Sequence, residues 1–334
     1  MESSLQQYAI ALTHQESVTP PDRKQFELTE KILLPRIDDV MENLSIIREG
    51  VDNIIKRSLK KNPLPKPQDG EKPPETNISP TKYPIGYCHV IRDYVLSVVK
   101  ANERNQRLRG VQTLVEFHKR GGIVKAVQGI QHRKYFQNGT QAGALWIDVA
   151  NDTVDPAKPK VVHSWLETSG FQNADDPTLC AEVIESYWQQ EVFPNTHFPE
   201  LATLFPFFTI DSNGVITIVP STTGLIGTAI LSDLETTEHF LFSSRFSEKQ
   251  LPKEFAELIG RFFYFTEENP LRSFHQTGAS REELEQVFAR HRTMIEDGSF
   301  REFTGQAREQ TSTFNDLSIR LKEKIFRRIR AREL

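Results

Sequence analysis

The sequence predicts an α+β protein: a central, mostly antiparallel sheet flanked by helices, with an N-terminal amphipathic helix and a helix-rich C-terminal part. Three observations carry this. Apolar residues recur at three- and four-residue steps from Leu33 to Leu59, short alternating or β-branched runs gather between 123 and 219, and the pattern after Pro220 is mostly helical. Strands in the middle with helices at both ends argue against a wound parallel sheet.

In the first segment, Ile37, Val40, Leu44, Ile47, Val51, Ile54 and Ile55 form a stripe about six turns long, weakened only locally by Gly50. Such a stripe must be covered, either by the rest of the chain or, through residues 33–59, by a protein partner or a second copy. Residues 61–82 hold six of the 19 prolines and almost no large apolar side chain, which reads as a linker. The expected organisation is therefore a helical appendage (1–60), a Pro-rich linker (61–82), an α+β main domain (83–220) and a helical C-terminal subdomain packed on it (221–334).

Pro84 and Gly86 block helix ahead of Tyr87, so Cys88 falls in the first turn of the helix that follows. A second helix, Val111 to Lys119, stops at Arg120-Gly121-Gly122. Strands are expected at Ile123–Ile130, Ala144–Val149 and Lys160–Leu166, with a corner at Tyr135–Gly143 turning on Asn138-Gly139. A helix at Pro177–Gln190, a loop at Phe193–Pro199 and a hairpin turning on Asp211-Ser212-Asn213-Gly214 come next. Ser221–Thr228 reads as a joint, and helices follow near 236–243, 251–264, 280–296 and 312–331, the third opened by a capping box at Ser280–Glu283.

Composition narrows the function classes. Lys and Arg number 41 against 45 Asp and Glu, a net charge of -4, so no global basic field favours nucleic acid, and specific nucleic-acid binding is not expected. No apolar stretch approaches a membrane span and no secretory signal opens the chain. Only Cys88 and Cys180 occur, which suits a reducing, cytoplasmic compartment and excludes a disulfide framework. P-loop, dinucleotide-fingerprint and nucleophile-elbow motifs are absent, the histidines are isolated along the chain, and no cofactor or metal is expected.

The sharpest local arrangement is Cys88 at a helix start, where exposed N–H groups and the macrodipole favour a thiolate. His89, adjacent in sequence, points away on a helix. The expected base is His163 on the strand 160–166, with Asp148 (or Asp211) orienting its imidazole and Gln137 or backbone N–H groups holding an oxyanion. In outline this order, a thiol at a helix start and a His on a later strand, resembles the layout of papain-like and transglutaminase-like thiol enzymes. The resemblance implies acyl transfer or hydrolysis; in those families the orienting residue usually follows the His, whereas Asp148 precedes it. Tyr135, Gln137, Asn138 and Trp165 are the candidate substrate-binding residues, mixing aromatic faces with amides. The same residues also suit a packed strand corner, and Cys88 also suits a core.

Asp148, Asn151, Asp152 and Asp155 fall within eight positions, a set that serves either a hard cation or, with better precedent in spacing, a self-bonded polar turn. The C-terminal run 320–332 has seven basic residues in thirteen, with Leu317, Leu321, Ile325 and Ile329 at helical steps. It reads as a solvated helix end or, over 312–332, as a surface for an acidic partner. Two functions stay open: a thiol-dependent acyl-transfer or hydrolytic enzyme, and a non-enzymatic interaction or regulatory protein docking through its amphipathic helices.

Overall fold

The computed structural model describes residues 3–61, 83–212, 214–218, 223–264 and 274–330, with the side chains of 258, 261–264 and 316–330 outside the description. The linker expected at 61–82 therefore lies, apart from Lys61, outside the described residues. The chain forms two compact units, one continuous (Glu16–Asn173) and one built from Met1–Gln15 with Ala174–Leu334. The organisation expected from sequence placed boundaries at 60, 82 and 220.

The first helix, α1 (Ser4–Glu16), packs in the discontinuous unit. The continuous unit opens with α2 (Arg23–Leu28), capped by the Asp22 carboxylate, which accepts from the Gln25 N–H at 2.8 Å. A π turn at 29–33 and a 3-10 turn containing Pro35 lead into α3 (Ile37–Lys61), which runs unbroken through Gly50. Apart from Ile54, which is exposed, the apolar stripe read from the sequence is the covered face of α3: Val40, Leu44, Ile47, Val51 and Ile55 join α4 (Cys88–Ala101) and α5 (Arg109–Lys119) in one core with Leu145 and Ile147 of the sheet. Covering this face, at about 25 cal/mol per Å² of apolar surface, is what fixes α3 to the rest of the unit. The α3–α5 approach depends on Gly110, where a Cβ would overlap the Asp39 backbone and whose N–H donates to Asn43 Oδ1 at 2.9 Å.

After α5, the Gly122 N–H reaches the Phe117 carbonyl and the Gly121 N–H that of His118, a Schellman stop with Gly121 at φ 89°. The antiparallel sheet follows: β1 (Val124–Gln131), β2 (Tyr135–Ala142), β3 (Leu145–Asp148), β4 (Val162–Trp165) and β5 (Phe171–Asn173), in the order β4-β3-β2-β1-β5. The corner expected at Asn138-Gly139 is instead the middle of β2. The chain turns earlier, at 132–134, where His132 and Arg133 adopt φ of 52° and 57°. Gly139 is there for space, since a Cβ would overlap the indole of Trp146.

In the discontinuous unit, α6 (Pro177–Val183) continues as a π turn to Trp188. Next come β6 (Glu191–Pro194), α7 (Pro199–Ala202), β7 (Phe207–Ile210) and β8 (Ile216–Ile218), the strands pairing in antiparallel order β6-β7-β8. β6 occupies the start of the expected Phe193–Pro199 loop. The expected hairpin joins β7 to β8, with Gly214 at φ 73° and Asn213 outside the described residues. Then follow α8 (Thr223–Leu231), where a joint was expected, α9 (Glu235–Ser243), α10 (Lys253–Tyr264), α11 (Arg281–Asp297) and α12 (Phe300–Arg330). The Ser280–Glu283 capping box forms in both directions. Phe198, Phe208, Phe240, Phe246, Phe288, Phe300 and Phe314 are fully buried here. Asn315 of α12 finishes the edge of β8, accepting from the Ile218 N–H at 2.8 Å and donating to its carbonyl at 2.7 Å.

Candidate functional site

Cys88 is the first residue of α4, as its sequence context predicts. Its sulfur accepts a hydrogen bond at 3.2 Å from Nδ2 of Asn138, on β2. The orientation of that amide is fixed behind it: Arg92, one turn along α4 from Cys88, donates from Nη1 to Asn138 Oδ1 at 2.8 Å and to the Val127 carbonyl at 3.1 Å. Arg92 thus orients the Asn138 amide so that its N–H points at the sulfur. Burial still dominates and pushes the Cys88 thiol up, with the Asp148 carboxylate adding to it and the Asn138 bond, the His89 N–H and Arg92 only partly opposing. The residue in contact with the thiol is an amide, and an amide accepts no proton at neutral pH. Cys180, fully buried, has its pKa raised by burial too.

The sheet register separates the other expected catalytic residues. Facing partners in an antiparallel pair point to the same side, and successive residues alternate. Val127 faces Gly139, Thr140 faces Ile147, and Ile147 faces His163. Asn138 and His163 therefore share the face covered by α3, α4 and α5, but β3 lies between their strands and His163 is exposed. Asp148 is on the opposite face, alternating with Ile147, and it is buried. It accepts from Gln137 Nε2 at 2.8 Å and from the Ala150 N–H at 2.7 Å, and neither bond involves His163. Its pKa is raised to about 7 because burial outweighs those two donors, with Asp152 adding repulsion. The structure brings Asp148 to Gln137 and Cys88 to Asn138. It does not bring Cys88, His163 and Asp148 into one bonded set. Asp211, the other expected orienter, is in the discontinuous unit.

The expected substrate-binding residues divide in the same way. Tyr135 and Gln137 share a face with Asp148, whereas Asn138 and Trp165 share the other. Trp165 packs into the α3–α4–α5 core with its ring 6.1 Å from that of Phe26, and Lys158 covers the Tyr135 ring at 5.5 Å. The acidic run is a self-bonded turn in which each group has its own partner. Asn151 donates to the Pro159 carbonyl, Asp155 accepts from Ala157, and Asp152 pairs with Arg48. Among the described residues no group of three or more His, Cys, Asp or Glu is placed to hold a metal ion.

Two polar constellations escaped the sequence reading. Arg48, 0 % exposed on α3, donates from Nε to Asp52 at 2.9 Å, from Nη1 to Asp152 at 2.8 Å and to the Val149 carbonyl at 3.0 Å. Asp52 also accepts from Tyr83 and from Lys160 Nζ at 2.6 Å. Burial works against both charges. The Asp152 bond and the two carboxylates nonetheless hold the Arg48 pKa above its usual value, and Lys160, Tyr83 and Arg48 hold that of Asp52 below. The visible signal was the Arg48/Asp52 spacing of four on the apolar side of the helix. In the other unit, Nδ1 of buried His291 lies 2.9 Å from Thr203 Oγ1 and Nε2 lies 3.0 Å from Glu200 Oε2. The order hydroxyl, imidazole, carboxylate is that of a nucleophile triad, but Thr203 is 0 % exposed and the ring is packed against Phe300 and Phe303. This set ties α7 to α11, with its hydroxyl and imidazole both buried.

No helix among the described residues is long and apolar enough to cross a membrane. Comparison with protein-family models, with curated proteins and with solved structures finds no match.

Proposed function

We propose that this chain acts by contacts rather than by covalent chemistry, as an interaction or regulatory protein whose docking surfaces include the outer faces of α3 and α4. One observation carries the reading. The exposed large apolar side chains among the described residues are Ile46, Ile54, Val90, Tyr94 and Leu231, and the first four stand on these two helices. Ile46 and Ile54 flank Gly50 at four-residue steps, and a Cβ at Gly50 would meet nothing within 4 Å. Single exposed apolar residues are ordinary, but a spaced set on neighbouring helices is the composition of a docking face. The basic run at 320–332 extends α12 to Arg330, and its side chains lie outside the described residues.

The test is affinity capture with the wild-type chain beside an Ile46→Ser/Ile54→Ser/Val90→Ser/Tyr94→Ser variant. A protein held by the first and released by the second, with both equally folded by circular dichroism, is the expected result. Identical sets of captured proteins would remove the reading.

The alternative, thiol chemistry at Cys88, has in its favour the helix start and the Asn138 donor. Native alkylation by iodoacetamide separates the two readings. Contacts alone predict that Cys88 and Cys180 label slowly at pH 6, whereas rapid labelling of Cys88 alone, lost in a His163→Ala variant, would restore the enzyme.

A further inference from the structure

α4 and α5 both pack on α3, but their C-terminal halves stand apart and leave a cleft of about 390 Å³ between them. Leu96 and Val99 of α4, Leu114 and Val115 of α5, and Val124 and Ala126 of β1 give it an apolar lining. Its rim is basic: Lys100, His118, Lys119 and Lys125 stand around it against the single acid Glu103. Lys125 is engaged with Thr19 Oγ1 at 2.7 Å, and the His118 ring meets the Gly122 carbonyl, so the charges facing outward are chiefly those of the exposed Lys100 and Lys119, with the exposed Glu103 of opposite sign beside them.

We infer that this cleft is a docking groove for an acidic amphipathic helix of a partner protein. The inference rests on the reading of the chain as a contact protein, and it names the chemistry of one partner. A groove between two helices with a strand beneath it matches a third helix, which enters with apolar residues at i, i+3, i+4 and i+7. Two lysines on the rim select carboxylates on the flanks of that helix and repel a basic one. A helix laid in such a cleft buries one face and leaves the other in solvent.

The probe is a synthetic, fluorescein-labelled helix of about 14 residues, long enough to be helical when bound, with Leu at the groove positions and Glu elsewhere. Its control carries Lys in place of each Glu. Fluorescence anisotropy with the full chain should show binding of the acidic peptide, loss of binding in Val115→Lys, and weakening of about tenfold in Lys100→Glu/Lys119→Glu. Both variants alter partly or fully exposed positions, and circular dichroism checks their folding. Absence of binding by the acidic peptide, equal binding of the lysine control, or unchanged binding in both variants overturns the inference. Binding of dodecanoate without the peptide would also overturn it, assigning the groove to a free aliphatic acid. The Ile46/Ile54/Val90/Tyr94 variant leaves the groove intact. A partner released by that variant while no peptide binds would sink the groove alone, and peptide binding with no partner released would sink the outer-face reading alone.

Discussion

Gly139 and Trp146 are neighbours across β2 and β3, and the indole of Trp146 fills the space where a side chain on residue 139 would stand. The ring continues onto Phe171, their centroids 4.1 Å apart, and packs with Val127 and Leu166 to form the core on the sheet face opposite α3. Gly139→Ala therefore forces the ring to move, and it should destabilise the protein by about 1–3 kcal/mol. Urea unfolding with tryptophan emission checks this, and a compensating Trp146→Leu should recover part of the loss.

Asp148 gives the continuous unit a pH dependence of definite sign. Its folded pKa of about 7 lies above the ordinary 3.8, so the fold favours the protonated form. Its contribution is fully present below pH 3.8 and is lost as pH rises toward 7, on the order of 4 kcal/mol in all. The stability of Asp148→Asn should change much less than that of the wild type between about pH 4 and 7. Urea midpoints measured across that range should converge at the acid end, and parallel curves would show that Asp148 ionises normally.

Among the described residues, Arg48 is the cation paired with buried Asp152. Arg48→Met keeps most of the volume and leaves buried Asp152 without its ion-pair partner, which should lower stability by about 3–5 kcal/mol. An Arg48→Met/Asp152→Leu double variant should be closer to wild type than the single one. A double-mutant cycle in urea reads the coupling directly, and additive losses would mean that the pair is not coupled.

Glu200 titrates in the opposite sense. Its pKa is held below the usual 4.5 by the His291 bond, which burial opposes and Arg290 reinforces. This contribution is present above pH 4.5 and fades as pH falls through the folded value. Glu200→Gln should therefore melt below the wild type at neutral pH, by a margin that shrinks in acid. Differential scanning calorimetry at several pH values measures the margin, and a constant difference would exclude ionic coupling to His291.

The α+β class, the span of α3, the stop at Gly121-Gly122, the capping box at Ser280 and the helical start at Cys88 were all legible, because each is set by local spacing or by residues a few positions apart. The identity of the group against the thiol was not legible. Asn138 reaches Cys88 because β2 lies under α4, a relation 50 residues apart in sequence, and His163 misses it by the width of a strand that the sequence leaves unordered. Asn138-Gly139 misled for a related reason. The pair satisfies turn chemistry in isolation, yet here the amide serves Cys88 and Arg92 while the missing Cβ serves Trp146. Arg48 drew no reading from the sequence, because its partners Val149 and Asp152 are about 100 residues downstream.

α1 packs against α8 so closely that a Cβ at Gly227 would strike the Ala9 carbonyl and Thr13, and Arg301 of α12 lies over the Tyr8 ring at 4.9 Å. During synthesis the whole of Glu16–Asn173 leaves the ribosome before these partners exist. At about 5–20 residues per second, Ala9 waits on the order of 10–40 s for Gly227. The continuous unit has time to fold first, while α1 spends that interval with Leu5, Ala9 and Leu12 uncovered and open to whatever holds nascent apolar helices.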